Sequence, residues 1–243
     1  MKHIPNIITS LNLASGFIAI VLAANGDLTG ASWLILAAML FDFCDGLSAR
    51  LLKAYSDIGR ELDSLADQVS FGVAPALILF KLIDNYSSPI LSVSEGMHAG
   101  FISILYHIVP VIMAVCAGLR LAKFNTDTTQ ATVFKGLPTP ANALAVISLI
   151  LATNYSSSGI LISFEGSPLL VSAYSLILSI LMITRIPLMS LKVKNLGIKG
   201  NEGRYLLILL IIIAFAVLRF AAAPLIIPLY IVVSLVANRL FKK

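Results

Sequence analysis

Apolar runs long enough to cross ~30 Å of hydrocarbon recur along almost the whole chain, and no other feature restricts its fold as strongly. They fall at about residues 5–24, 30–52, 67–84, 99–122, 138–155, 168–188, 204–221 and 223–240. Only "RFAAAP" separates the last two, and Pro224 can open a tight turn there. The pattern predicts an all-α, polytopic membrane helical bundle of about eight transmembrane helices. Six or seven result if the C-terminal helix pair, 204–243, is one broken hairpin. Of the 243 residues 58% are hydrophobic and 12% charged, where a soluble domain is about half apolar and a quarter charged. One compact membrane domain, 1–243, accounts for the whole length.

Charge fixes the expected orientation. With eight spans and an inward N-terminus, both termini and the 53–66, 123–137 and 189–203 loops are cytoplasmic. Counted with helix ends, 15 of the 17 lysines and arginines then lie inside, and only Lys81 and Arg219 lie outside. The opposite loops carry Asp27, Asp84, Glu95 and Glu165 and read as short passive connections. No basic patch interleaved with aromatics exists, so nucleic-acid binding is excluded. Residues 13–23 also fit a signal peptide cut near "LAAN", but the polar residues of "PNIITSLN" suit a working first helix better. Cys44 and Cys116 lie in apolar helical stretches and suggest neither a disulfide nor zinc. His3, His98 and His107 have no metal or triad partner at useful spacing.

Against this apolar background stands "FDFCDGLSARLLKAYSDIGRELDSLAD", residues 41–67. On a helix Asp42, Asp45, Gly46, Ala49 and Arg50 share one face. Gly59, Asp63 and Asp67 form a second stripe at the start of the third helix, and a short loop brings the two stripes to one membrane surface. Four carboxylates without histidine or thiolate make a hard oxygen environment, suited to Mg²⁺ or Mn²⁺. Two such ions would neutralise the cluster and clamp a diphosphate during in-line displacement. Arg50 adds a fixed positive fork for phosphate, and Gly46 and Ala49 let a ligand approach the backbone. Helix capping and pairing with Arg50, Lys53 or Arg60 would explain Asp57 and Glu61 as solvated first-turn acids. It does not explain Asp42, which follows "LILAAML": an unpaired carboxylate at an apolar boundary costs a few kcal/mol.

The spacing Asp42-x-x-Asp45-Gly46-x-x-Ala49-Arg50, eight residues, Gly59-x-x-x-Asp63-x-x-x-Asp67 resembles the complete signature of the CDP-alcohol phosphotransferases. These integral-membrane enzymes move a phosphatidyl or related group from a CDP-linked donor to an alcohol. "PNIITSLNLASGFIAI", "ELDSLADQVSFGVAPA", "GLRLAKFN" and "FKGLPTPANA" further resemble the phosphatidylserine-forming members of bacteria and archaea. The resemblance implies CDP-diacylglycerol and L-serine as substrates, phosphatidylserine and CMP as products, and two Mg²⁺ or Mn²⁺ ions. It implies metal ligation by Asp42, Asp45 and Asp63, with Asp67 as general base and further metal contact. Gly46, Ala49, Arg50 and Gly59 would hold the CDP moiety, approached from the first helix by Asn6, Thr9 and Asn12. Ordinary interfacial capping is an equal account of those three. A homodimer in the cell's inner (cytoplasmic) membrane, with its active site inside, is also implied.

Free serine needs a cation for its carboxylate and an acceptor for its ammonium. Arg120, Lys123, Asn125, Lys135 and Arg185 are expected at the cytoplasmic face near the aspartates, although basic residues at helix ends are more often topology signals. Glycerol 3-phosphate or inositol phosphate stays open as acceptor and would favour a denser Arg/Lys pocket. Outside this class, a divalent-cation transporter also uses intramembrane aspartates, but near the bilayer midplane on broken helices.

Overall fold

A computed structural model of the chain describes residues 3–54, 56–87, 97–126, 134–189, 197 and 201–240. Helix α1, Ile4–Ala24, opens with Pro5 in its first turn, where a missing N–H costs nothing. Gly26, at φ +89°, turns the chain, and Asp27 caps α2, Leu28–Leu51, by accepting from Gly30 N at 2.7 Å. The two helices pack on each other more extensively than any other pair. Their buried faces are built from small residues, Ser15, Gly16, Ala19 and Ala23 on α1 and Ala31, Ser32 and Ala38 on α2. With no hydrophobic drive between helices in lipid, such faces gain their attraction by close backbone approach.

Ser56 caps α3, Asp57–Asp67, by accepting from Gly59 N at 3.0 Å. The helix starts ten residues before the apolar run because its first three turns are amphipathic: Asp57 and Glu61 sit exposed beside Arg60, as expected of first-turn acids. A π-helical turn, Gln68–Val73, joins α3 to α4, Ala74–Tyr86, with Ala74 N donating to Val69 O. The widened turn stands directly before Pro75, which has no N–H to give the Phe71 carbonyl in helical register. Asn142 Nδ2 takes that place, donating to Phe71 O at 3.4 Å from a different helix. π-turns of this kind concentrate at functional sites, and this one follows Asp67 immediately.

The 30-residue α5, Met97–Thr126, precedes a two-residue antiparallel pair of β1, Phe134–Lys135, and β2, Pro187–Leu188. Between these strands lie α6, Thr139–Tyr155, the short α7, Gly159–Glu165, and α8, Pro168–Ile183. The run expected over 168–188 ends as helix at Ile183, and Pro187 enters the strand instead. Helix α7 was not anticipated; it bends 83° from α8. Helices α9, Glu202–Leu218, and α10, Ile226–Leu240, are joined by a 3₁₀ segment, Arg219–Leu225, that contains Pro224. A methyl on Gly203 would lie 2.8 Å from Ala237 Cβ, so α9 and α10 fold back on each other as a hairpin.

Apart from the short β1–β2 pair, the chain is a helical integral membrane bundle with helices at all eight expected positions. By length and apolarity alone, four stretches among the described residues could cross a membrane, or five if the bent α7–α8 pair is one span. The acids expected in the opposite loops are less passive than that reading implies. Asp84 lies in α4, 3.4 Å from Lys81 and 3.7 Å from the buried His107, while Glu165 is buried at the end of α7. Glu95 falls outside the described residues.

Candidate functional site

Helices α2 and α3 deliver the four aspartates as their periodicity demands. Oxygens of Asp42, Asp63 and Asp67 lie within 4.8 Å of one another. Asp45, one turn beyond Asp42, is buried beside the Thr9 hydroxyl and forms no part of this trio. Among the described residues no lysine, arginine or histidine is ion-paired with any of the four. Asp45 Oδ2 and Asp63 Oδ1 are buried without a hydrogen-bond partner. At an effective dielectric of about 20, two carboxylates no further apart than that repel by at least about 3.5 kcal/mol. Such a cluster is stable as a set of anions only around a cation, and its all-oxygen chemistry fits a hard divalent ion.

Beside the trio opens a cleft of about 700 Å³, lined by Asn6, Thr9, Asp45, Gly46, Ala49, Arg50, Gly59, Arg60 and Asp63. That volume suits a nucleotide-sized ligand. Six of the seven residues expected to meet the CDP moiety are on its wall. The seventh, Asn12, instead donates through Nδ2 to Asp67 Oδ1 at 3.5 Å and orients that carboxylate from α1. The two glycines do different work. A methyl on Gly59 would meet Asn6 Oδ1 and Ser56 Oγ, each at 2.9 Å, so glycine there lets α1 approach α3. A methyl on Gly46 would find only Arg50 Nη1, at 3.8 Å, and otherwise open cleft. Gly46→Leu is therefore expected to fold normally while raising the KM of a nucleotide-linked donor at least ~10-fold, since it places bulk where the ligand must lie. An unchanged donor KM would remove this wall from the site.

A second group of side chains, from α5, α6 and α10, gathers around Arg120. Arg120 is buried, its guanidinium within electrostatic reach of Asp67 and Tyr230. Its Nη1 donates to the fully buried Thr139 Oγ1 at 3.4 Å, it stands over the Phe124 ring at 5.8 Å, and its Nε has no partner. Gln68 Nε2 donates to Ala114 O at 3.0 Å, which leaves Gln68 Oε1 buried and unmatched. Asn142 Oδ1 is likewise buried and unmatched, its Nδ2 being committed to Phe71 O. Of the other acceptor candidates, those whose side chains are described lie at the surface. Lys123 and Arg185 are exposed, Asn125 Nδ2 donates to Ser64 Oγ at 2.8 Å on the surface, and the Lys135 side chain lies outside the described residues. Gln68, Thr139 and Asn142 went unassigned from sequence, although all three stand within the phrases "ELDSLADQVSFGVAPA" and "FKGLPTPANA".

Comparison with known proteins gives a consistent family. Residues 2–189 match the CDP-alcohol phosphatidyltransferase family. A CDP-diacylglycerol–serine O-phosphatidyltransferase of Bacillus subtilis is 33% identical over 205 residues, 84% of this chain and 99% of the relative. An archaetidylserine synthase of Methanothermobacter thermautotrophicus is 34% identical over 173 residues, 70% of this chain and 67% of the relative. A CDP-diacylglycerol–serine O-phosphatidyltransferase of Helicobacter pylori is 28% identical over 235 residues, 96% of this chain and 89% of the relative.

Proposed function

The chain belongs to the CDP-alcohol phosphatidyltransferase family, and on that premise we propose that it transfers the phosphatidyl group of CDP-diacylglycerol to L-serine, giving phosphatidylserine and CMP. The observation that carries this reading is the unneutralised carboxylate trio opening onto a nucleotide-sized cleft. Asp42, Asp45, Asp63 and Asp67 would hold two Mg²⁺ or Mn²⁺ ions, which when bound supply charge neutralisation of the diphosphate. The cleft takes the CDP moiety: Gly46 and Ala49 leave it room, Arg50 faces its phosphates, and Asn6, Thr9 and Gly59 shape the wall shared by α1 and α3. Asn12 holds Asp67 in orientation to accept the serine hydroxyl proton. The serine oxygen then bonds to the phosphatidyl phosphorus, and CMP leaves with the bridging oxygen.

The acceptor is read from the buried polar groups around Arg120 and the π-turn. Arg120 offers a cation for the serine carboxylate, and the amide oxygens of Gln68 and Asn142 offer acceptors for its ammonium. Glycerol 3-phosphate is disfavoured because, of the acceptor's basic candidates whose side chains are described, Arg120, Lys123 and Arg185, only Arg120 is buried near Asp67, whereas a phosphate dianion calls for a denser cationic pocket. Release of CMP from CDP-diacylglycerol should need both L-serine and added Mg²⁺ or Mn²⁺, and should fall to background in excess EDTA. Full activity in metal-stripped protein would overturn the metal assignment, and stimulation by glycerol 3-phosphate but not serine would overturn the acceptor.

We further propose eight spans, both termini and the site cytoplasmic, and a homodimer, which cross-linking in membranes would test. The distribution of lysine and arginine supports the orientation. In intact cells an impermeant thiol reagent should label a cysteine replacing Ser157, on the opposite side, and spare one replacing Asp57. The reverse pattern would invert the topology.

A further inference from the structure

The π-turn that follows Asp67 is tied to three other helices. Gln68 Nε2 donates to Ala114 O of α5, Ser70 Oγ donates to Asn12 O of α1 at 3.0 Å, and Phe71 O accepts from Asn142 of α6. A buried serine in an apolar helix ordinarily donates to a carbonyl of its own helix, as Ser32, Ser148 and Ser179 do here. Ser70 is completely buried, yet its hydroxyl crosses to α1. The residue it reaches, Asn12, is the one whose side chain donates to Asp67 Oδ1. Asn12 is also completely buried. It is therefore gripped at its backbone by Ser70 and grips Asp67, three positions before Ser70, with its side chain. Gly16, one turn along α1, makes this approach possible. A methyl there would overlap Ser70 Oγ and lie 2.8 Å from Ser70 Cα, a backbone atom that cannot turn aside. Gly72 does the same for α5, since a methyl on it would lie 3.0 Å from Ala117 Cβ. At 3.5 Å the contact between Asn12 and Asp67 is at the outer limit of a hydrogen bond, so a small displacement of α1 breaks it. Among the described residues no other side chain donates to Asp67.

We propose that Ser70 is a positioning residue for the transfer step: it fixes the Asn12 backbone against the π-turn, and so sets the amide that orients Asp67 toward the acceptor hydroxyl. This rests on the reading of Asp67 as general base and extends it to a residue that touches no substrate. Ser70 is neither on the wall of the nucleotide cleft nor in the carboxylate trio. Its loss therefore falls on the rate of the reacting complex and not on the binding of either substrate. A catalytic group displaced by about 1 Å can cost on the order of a hundred-fold in rate, and a lost tether that lets Asp67 swing by less costs correspondingly less.

The test measures CMP release by full-length protein in lipid nanodiscs, for Ser70→Ala, Asn12→Ala and the two combined. Ser70→Ala should lower kcat roughly ten-fold and leave the KM values for CDP-diacylglycerol and L-serine within about two-fold. Asn12→Ala should lower kcat at least as far. In that background Ser70→Ala should cost less than about two-fold more, because residues that act through one contact are not additive. Gly16→Ala, which forces α1 off the π-turn, should reproduce the loss in kcat. Ser70→Ala removes one oxygen and adds no bulk, so it decides the question even where Gly16→Ala does not fold. Losses that multiply in the double variant, or KM values that rise as kcat falls, would show that Ser70 only supports the fold and would overturn the inference. Normal turnover by Asp67→Asn would overturn the general-base reading and this inference with it. An inactive Asp67→Asn beside a Ser70→Ala protein with wild-type kcat would overturn the inference alone.

Discussion

Asp63→Asn is expected to reduce CMP release by roughly a hundred- to a thousand-fold, the scale seen when one preorganised charge-stabilising group is removed from an active site. Among the described residues, Asp63 alone both belongs to the carboxylate trio and lines the cleft. It therefore stands between the metal-binding side of the site and the ligand side, and no neighbour duplicates its position. Asparagine keeps the volume but removes the charge. The same substitution should leave metal-free protein folded and make it more resistant to heat, because each carboxylate in the trio repels its neighbours. Wild-type protein should gain stability on adding Mg²⁺ or Mn²⁺, since an ion that binds only the folded state stabilises it by mass action. The variant should lose most of that gain. These opposite signs distinguish a ligand from a structural carboxylate: a capping role would cost stability on mutation and leave the metal response intact. Normal turnover by Asp63→Asn, or an undiminished thermal shift with Mg²⁺, would exclude Asp63 as a ligand.

The aspartate stripes were legible because helix periodicity is rigid over two turns. Asp42 and Asp45 on α2, and Asp63 and Asp67 on α3, had to share faces, and the short loop had to join them. Asn6 and Thr9 reached the cleft for the same reason, one turn apart on α1. Periodicity did not separate Asp45 from the trio, because that separation depends on how α2 and α3 cross, a tertiary quantity. The π-turn after Asp67 was also hidden. Pro75 read as a residue within an apolar run, and the donor that replaces its missing N–H comes from Asn142, 67 positions further on. Arg120 is the instructive case. In sequence it carries the same topology signal as Lys123 and Arg185. Yet Met113, Cys116, Ala117, Arg120 and Leu121 are all buried and fall at i, i+3, i+4, i+7 and i+8, so the arginine shares the face that α5 turns to the core. That burial is a tertiary outcome, because the outer faces of α5, with Val111, Ile112, Val115 and Leu119, are as apolar as the buried one.

Arg120→Ala is expected to raise the L-serine KM by about 10–100-fold or more, the range for a lost charge-assisted contact. The KM for CDP-diacylglycerol should change little, because no residue of α5 lines the nucleotide cleft. A buried arginine is normally risky to remove, since a carboxylate left behind would be stranded. Here no carboxylate is ion-paired with it among the described residues, and the groups released are the Thr139 hydroxyl and the Phe124 ring. The folded protein should therefore survive the substitution and bind donor, which makes the serine KM interpretable. Arg120→Lys should recover part of the loss: it restores the charge, but an ammonium cannot reproduce the fork that reaches Thr139 and the acceptor together. If the arginine binds ground state and transition state equally, kcat should hold near its starting value; a parallel fall in kcat would show that it also orients the hydroxyl toward Asp67. Lys123→Ala and Arg185→Ala, both at exposed positions, should leave the serine KM within about two-fold. If all three variants behaved alike, the basic residues at this face would be topology determinants only, and the acceptor pocket would have to be sought elsewhere in the bundle.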